Sequence, residues 1–198
     1  MSKNLLIVFV KNIKLGKVKT RLAKTIGNQG AFEVYKELVQ ITENATDELI
    51  VDKHIYFSDV VIETKWENDY KTVQYGETLG DRMKNAFHDG FKAGYENIIL
   101  IGSDLPSLTS SIINKGFDTL KNNEVVFGPA EDGGYYLVGF SKMKDFVFEN
   151  KPWSQSGLLE ITTKELQENN VSFNLLETLN DIDNIEDLQN SILKNKFS

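Results

Sequence analysis

The sequence has 198 residues, 40% of them apolar and 26% charged, a length and balance that suit one globular domain spanning 1–198. It contains no cysteine and only two histidines, His54 and His88, which excludes disulfides, thiolate chemistry and a multi-histidine zinc centre. The net charge of −7 argues against a nucleic-acid partner. The apolar run at 5–10 is too short for a membrane span or a secretory leader, so a cytoplasmic protein with no membrane partner is expected.

In chain order, residues 5–10 are a continuous β-branched and aromatic run, the pattern of a strand buried on both faces. A loop bearing lysines and a glycine follows, then a helix with Phe32, Tyr35, Leu38 and Val39 on one face. Residues 54–57 and 72–74 read as short strands, and Leu79, Met83, Phe87 and Phe91 mark a helix ending near Gly94. A second buried strand at 98–101 closes on the loop 102–106, and a helix from about 109 to 120 leads to a strand at 125–127. The segment 128–134 reads as a turn before a strand at 135–140, and helices near 157–168 and 185–194 flank a last strand at 172–176. Strands alternating with helices predict a Rossmann-like α/β fold, with a mostly parallel mixed sheet and helices on both faces. Ligands in such sheets sit beyond the carboxyl ends of the strands, which selects the loops 11–21, 102–106 and 128–134.

The charge is unevenly spread. No acidic residue precedes Glu33, yet six basic residues (Lys11, Lys14, Lys17, Lys19, Arg21 and Lys24) fall within 11–24, where an even spread would put fewer than two. A solvated basic face is the plain alternative. The loop lacks the Gly-x-x-x-x-Gly-Lys spacing of a Walker motif. It still offers what phosphates need: close backbone amides and neutralising cations straight after a buried strand. Lys11, Gly16, Lys17, Lys19 and Arg21, with Ser103 in the next loop, are the expected nucleotide contacts. Lys19 and Arg21, two apart in an extended loop, would face one phosphate site and stabilise a departing pyrophosphate.

Asp104 is held in a tight turn by Pro106, and serves either as turn former or as metal ligand. Near the C-terminus, Asp183 with Glu186 three positions on reads as a capping box for the last helix. Such loops together could also hold Mg²⁺, which takes one or two carboxylates plus waters and substrate phosphates. Asp132-Gly133-Gly134-Tyr135 is either a β-turn or a place where a ligand approaches the backbone closely. Gln74, Gly80 and Arg82, at a helix entry, are candidate acceptor contacts together with Gly133, Gly134 and Tyr135.

Taken together, these segments resemble a small bacterial family of GT-A-fold transferases in the nucleotide-diphospho-sugar transferase superfamily. The matching pieces run from Phe9-Val10-Lys11 and Gly16 to Leu22, through Leu79 to Met83 and Ile101 to Pro106. Gly128 to Leu137, Trp153-Ser154, and Asp181 to Leu188 complete them. The first loop is also similar to those of phospholactate guanylyltransferases and molybdenum-cofactor nucleotidyltransferases. It departs from them in carrying Ile13 and Leu15 where prolines are usual, which leaves φ unfixed there. The resemblance implies a GT-A fold, with Asp104 as metal ligand, Asp183 as its partner, and Mg²⁺ or Mn²⁺ as cofactor. The expected reaction is nucleotidyl transfer from a nucleoside triphosphate to a phosphorylated or acidic small molecule. The alternatives are glycosyl transfer from a nucleotide sugar, with Asp132 as base, and a nucleotide-binding module without catalysis. An acidic pair sharing one ion further implies that Asp104→Asn leaves stability almost intact.

Overall fold

The computed structural model describes residues 3–197. Its chain order is β1 (Asn4–Val10), α1 (Thr20–Asp47), β2 (Asp52–Phe57), β3 (Tyr70–Val73), α2 (Leu79–Lys92), β4 (Asn97–Ile101), α3 (Ser110–Leu120), β5 (Val125–Pro129), β6 (Tyr135–Phe140), α4 (Leu158–Glu168), β7 (Phe173–Leu175) and α5 (Ile185–Asn190). All seven strands share one sheet, in the order β3-β2-β1-β4-β6-β5-β7. Every pairing is parallel except those of β6, which runs antiparallel to β4 and β5. This is the expected Rossmann-like mixed sheet.

Alternation along β1 shows how the two faces are filled. Leu6, Val8 and Val10 enter a core layer with Val34 and Leu38 of α1, Ile113 and Phe117 of α3, and Leu188 of α5. Leu5, Ile7 and Phe9 enter the opposite layer with Met83 and Phe87 of α2 and Leu166 of α4. The aromatic trio Phe87, Phe140 and Phe148 knits that second layer together, with Phe87 stacked on Phe148 and Phe140 edge-on to both. Burying a side chain of this size is worth about 1.5–3 kcal/mol.

Chain order reverses at β1, which pairs with β2 on one side and β4 on the other. The loops after β1 and β4 therefore open side by side, at the switch point where such sheets bind ligands.

Three expectations need correction. The first helix begins at Thr20, well before its apolar face, and bends at Gly27 (φ 75°, ψ 165°). The last helix ends at Asn190, not near 194. There the Ser191 hydroxyl donates to Leu188 O and accepts from Leu193 N, replacing helical bonds. The capping box belongs to Asn184 and Asp187, not to Asp183 and Glu186, which leaves Asp183 outside the helix.

His54 on β2 lies between the rings of Tyr70 and Tyr95, at centroid distances of 4.6 and 5.6 Å. Burial lowers its pKa below the usual 6.5, against the opposing pull of Asp52 and Asp89. A depressed folded pKa gives stability that is complete above the unfolded value and lost as pH falls through the folded one. Between pH 7.5 and 5.5 the urea midpoint of the wild type should therefore fall further than that of His54→Phe. Equal falls would show that the ring is as solvated folded as unfolded.

Candidate active site

The loop after β1 is pinned from both ends. Lys11 N donates to Tyr35 Oη at 3.0 Å, and that hydroxyl also shares a 2.9 Å hydrogen bond with the buried Ser103. The buried Asn12 side chain accepts from Asp59 N and Val60 N and donates to Val60 O, tying the loop to the segment after β2. Gly16 turns the loop at φ 73°. Lys19, which precedes α1, has a left-handed backbone (φ 45°, ψ 49°), and its side chain is only 6% exposed.

That conformation turns the Lys19 ammonium inward, onto three carboxylates. Its Nζ lies 3.1 Å from Asp104 Oδ2, 3.2 Å from Asp183 Oδ1 and 3.9 Å from Asp181 Oδ2. Asp104 follows β4. Asp181 and Asp183 lie in the segment that runs from the Ala130–Leu179 bridge to α5. Burial alone would lower the Lys19 pKa, but Asp104, Asp183 and Asp181 override it and hold the group above its ordinary value. Burial, followed by Asp104, pushes the Asp181 carboxyl up to about 7. Arg21 Nη1 adds a 3.2 Å contact to Asp183 Oδ2.

The expected extended pairing of Lys19 and Arg21 is thus corrected. The left-handed residue starts a helix, Arg21 lies in its first turn, and both cations meet at a carboxylate. Asp104→Asn is no longer expected to be neutral either, because it removes a partner of a buried ammonium.

Among the described residues no group of three or more His, Cys, Asp or Glu side chains is arranged to hold a metal. The donor set still fits a hard divalent ion. Asp104 and Asp183 offer oxygen donors converging on one point, held here by an ammonium, and a pair leaves room for phosphate oxygens and water.

Two cavities meet at Asp104 and Asp183. One, of about 290 Å³, is lined also by Lys11, Lys19, Thr20, Arg21 and Tyr35. The other, of about 340 Å³, adds Asp132, Gly134, Tyr135, Trp153 and Asp181 and has neither lysine nor arginine in its lining. The carboxylates thus divide a cationic side from an anionic, aromatic one. Acidic or phosphorylated acceptors, expected from the sequence, find no neutralising side chain in the second cavity.

Of the residues singled out for nucleotide contact, Lys11, Lys19 and Arg21 line the first cavity. Lys17 is exposed outside it, and Ser103 is buried behind Tyr35. Of the acceptor candidates, Gly134 and Tyr135 line the second cavity. Gln74 instead donates to Tyr56 O, and Arg82 Nε to Gly76 O. Gly80 serves packing: a Cβ there would sit 2.6 Å from Phe148 O and 2.8 Å from the Trp153 ring. Gly133 (φ 88°) lets the turn lie against the 153–157 segment, since a Cβ there would collide with Ser156 O.

Sequence reasoning gave no role to Leu79, Met83, Gln155 and Leu158, all lining the second cavity, or to Tyr35 in the first. The signal of Leu79, Met83, Leu158 and Tyr35 was present as helix positions on an apolar face and was absorbed into the core, whereas Gln155, in the turn before α4, gave none. The segment bearing Trp153 is held by the buried Lys151 ammonium, which donates to Phe146 O, Glu149 O and Glu165 Oε2.

Comparison with known proteins agrees with this fold. The family model DUF2064, described as an uncharacterized protein conserved in bacteria, matches residues 42–155. A Desulfovibrio desulfuricans G20 protein described as a candidate nucleotide-diphospho-sugar transferase is 31% identical, with TM-score 0.90 over 96% of this chain and 86% of its own. A CMP:2-keto-3-deoxy-manno-octonic acid synthetase complexed with CTP is 10% identical, with TM-score 0.55 over 96% of each chain. The Mycobacterium tuberculosis H37Rv protein Rv0371C in complex with manganese is 13% identical, with TM-score 0.55 over 96% of this chain and 97% of its own. No curated protein matches the sequence. The fold is that of the nucleotide-diphospho-sugar transferases, as the resemblance implied. Among the described residues no helix is long and apolar enough to cross a membrane.

Two tyrosines make opposite predictions. Burial raises the Tyr35 hydroxyl to about 12, and Tyr35→Phe strands Lys11 N and Ser103 Oγ, so it should cost about 1–3 kcal/mol in urea unfolding. The buried Tyr135 hydroxyl has no partner among the described residues, so Tyr135→Phe should be neutral or stabilising by up to about 1 kcal/mol. Comparable losses in both variants would refute this contrast.

Proposed function

This chain belongs to the bacterial DUF2064 family, and from that premise we propose that it is a metal-dependent transferase acting on a nucleotide-phosphate donor. One observation carries the reading: a carboxylate pair at the sheet's switch point, with a cationic cavity on one side and a cation-free cavity on the other. The donor's phosphates suit the first cavity, where Lys11, Lys19 and Arg21 are in reach, and the acceptor suits the second. A divalent ion held by Asp104 and Asp183 would neutralise phosphate charge. Asp132 holds Gly134 N through Oδ1 at 2.8 Å, which fixes the carboxylate and leaves Oδ2 to accept a proton from an acceptor hydroxyl. A module that only bound nucleotides would need Asp132 for no more than the turn it holds at Gly134.

The first reading is nucleotidyl transfer. The acceptor oxygen bonds to the α-phosphorus of a nucleoside triphosphate, its proton passes to Asp132, and the bond to pyrophosphate breaks. Lys19 and Arg21 then stabilise the departing charge. Glycosyl transfer is the second reading, favoured by Asp132 facing a cavity without cations. There the same oxygen bonds to the anomeric carbon and nucleoside diphosphate leaves.

Incubation with each triphosphate and each common nucleotide sugar, plus Mn²⁺ and acceptor pools, separates the two by product. Pyrophosphate supports the first reading and nucleoside diphosphate the second. Under the first, Arg21→Ala should lower kcat by about 10²–10³, with a smaller effect on triphosphate binding. No product of either kind would end the transferase reading.

Metal binding has its own test. Lys19→Met leaves three carboxylates without their ammonium and should lower stability by about 1–2 kcal/mol, discounted for their partial exposure. Mn²⁺ should then raise its Tm more than that of the wild type, and Asp104→Asn should abolish the effect. A Tm indifferent to Mn²⁺ in all three proteins would remove the metal from the scheme.

A further inference from the structure

The second cavity says what kind of acceptor it can take. Asp104, Asp132, Asp181 and Asp183 contribute four carboxylates to its wall. The two cations nearest them, Lys19 and Arg21, reach Asp104 and Asp183 from the other cavity and belong to its lining. A divalent ion would not reverse the balance, because it would arrive with donor phosphates that at least cancel its charge.

The backbone donors of the glycine turns and of the helix start beside the cavity are already engaged. Gly134 N is taken by Asp132 Oδ1, and Gly102 N by Tyr136 O. At the start of α4, Leu158 N donates to Gln155 O at 3.2 Å and Leu159 N to Gly133 O at 3.0 Å, so that helix end offers an anion little. At the start of α2, the Thr78–Asp81 capping box already supplies a carboxylate. The remaining wall carries no charge: Leu79, Met83, Leu158 and the half-buried Trp153 ring make it largely apolar, and Tyr135, Ser154 and Gln155 add neutral hydrogen-bonding groups that suit hydroxyls.

We propose that the acceptor is an uncharged, hydroxyl-bearing molecule with an apolar face, the chemistry of a sugar ring, and that phosphorylated or carboxylate-bearing acceptors are rejected. Carboxylates accept from its hydroxyls, and Trp153 covers its apolar side. A charged analogue meets like charge with no partner to offset it, and specificity then comes from that repulsion. This rests on the reading of the cavity as the acceptor side, under either chemistry.

The test reads binding and not turnover. The chain has two tryptophans, so ¹⁵N-Trp labelling gives two indole signals, assigned with Trp153→Phe. Trp66 is buried outside the cavity, its indole N–H on Thr46 Oγ1, and serves as the internal control. Matched probes are glucose against glucose 6-phosphate, ribose against ribose 5-phosphate, and glycerol against glycerol 3-phosphate. The Trp153 signal should respond to neutral members at concentrations at least about tenfold lower than to their phosphate esters, the factor expected from one uncompensated repulsion of about 1.4 kcal/mol. Gln155→Lys, which adds a cation to the cavity wall, should narrow that gap by strengthening the esters relative to the neutral probes. Esters that bind the wild type as well as the neutral probes, or a Trp153 signal that no neutral probe moves, would overturn the proposal. Selective neutral binding in a protein that consumes no donor would support this assignment while sinking the transferase reading.

Discussion

The ammonium of Lys19 is the group around which the switch point is organised. A buried lysine is tolerated only when its charge is met, and here three aspartates from two distant stretches of chain meet it. The contact draws the loop after β1, the loop after β4 and the segment before α5 to one point. It also requires a left-handed lysine backbone, a conformation costing about 1–3 kcal/mol in a residue other than glycine. The pairing offsets that cost, and in doing so it fixes where α1 begins.

From that point the electrostatics divide. Lys11 and Arg21 extend positive charge to one side, where the Tyr35 hydroxyl holds the loop backbone. Asp132 and Asp181 extend negative charge to the other, where the turn at Gly133 packs against the segment bearing Trp153. Opposite fields on two faces of one carboxylate pair suit a reaction between unlike partners, one polyanionic and one not. A binding site for a single ligand would gain nothing from the contrast.

Much of the fold was legible in the sequence because buried parallel strands have a strong signature. The apolar runs giving β1 and β4, the strand Tyr135–Phe140, and the four-residue spacing of Leu79, Met83 and Phe87 all became the expected elements. Of the loops chosen from the carboxyl ends of strands, 11–21 and 102–106 supply Lys19, Arg21 and Asp104, and 128–134 supplies Asp132 to the adjoining cavity, while Asp181 and Asp183 come from a segment outside them. What failed was local geometry. Nothing in the composition of 11–21 says that Lys19 turns left-handed, so a strand-like period was assumed where a helix starts. Asp183 looked like a cap because Glu186 follows it, yet Asn184 accepts from two backbone N–H groups and wins the position. Gln74 and Arg82 looked free because their partners, Tyr56 O and Gly76 O, are backbone atoms that no side-chain pattern reveals. Trp153 entered only as a piece of the resemblance, without a role of its own, because what positions its ring is the packing on Gly80, seventy-three positions earlier.

Lys19 also bears on how such a site would be filled. On the proposed reading the ammonium and the divalent ion seek the same oxygens, so neither can have them without displacing the other. Metal alone must expel a buried, triply paired cation and leave it without a partner, which is unfavourable. Metal arriving with a phosphate donor supplies the replacement, because Lys19 can exchange carboxylate oxygens for phosphate oxygens with no net loss of partners. The two ligands then assist each other by the same free energy in either order, as linkage requires. A residue that looks at first like a phosphate contact is, in this arrangement, the element that makes metal and donor bind together.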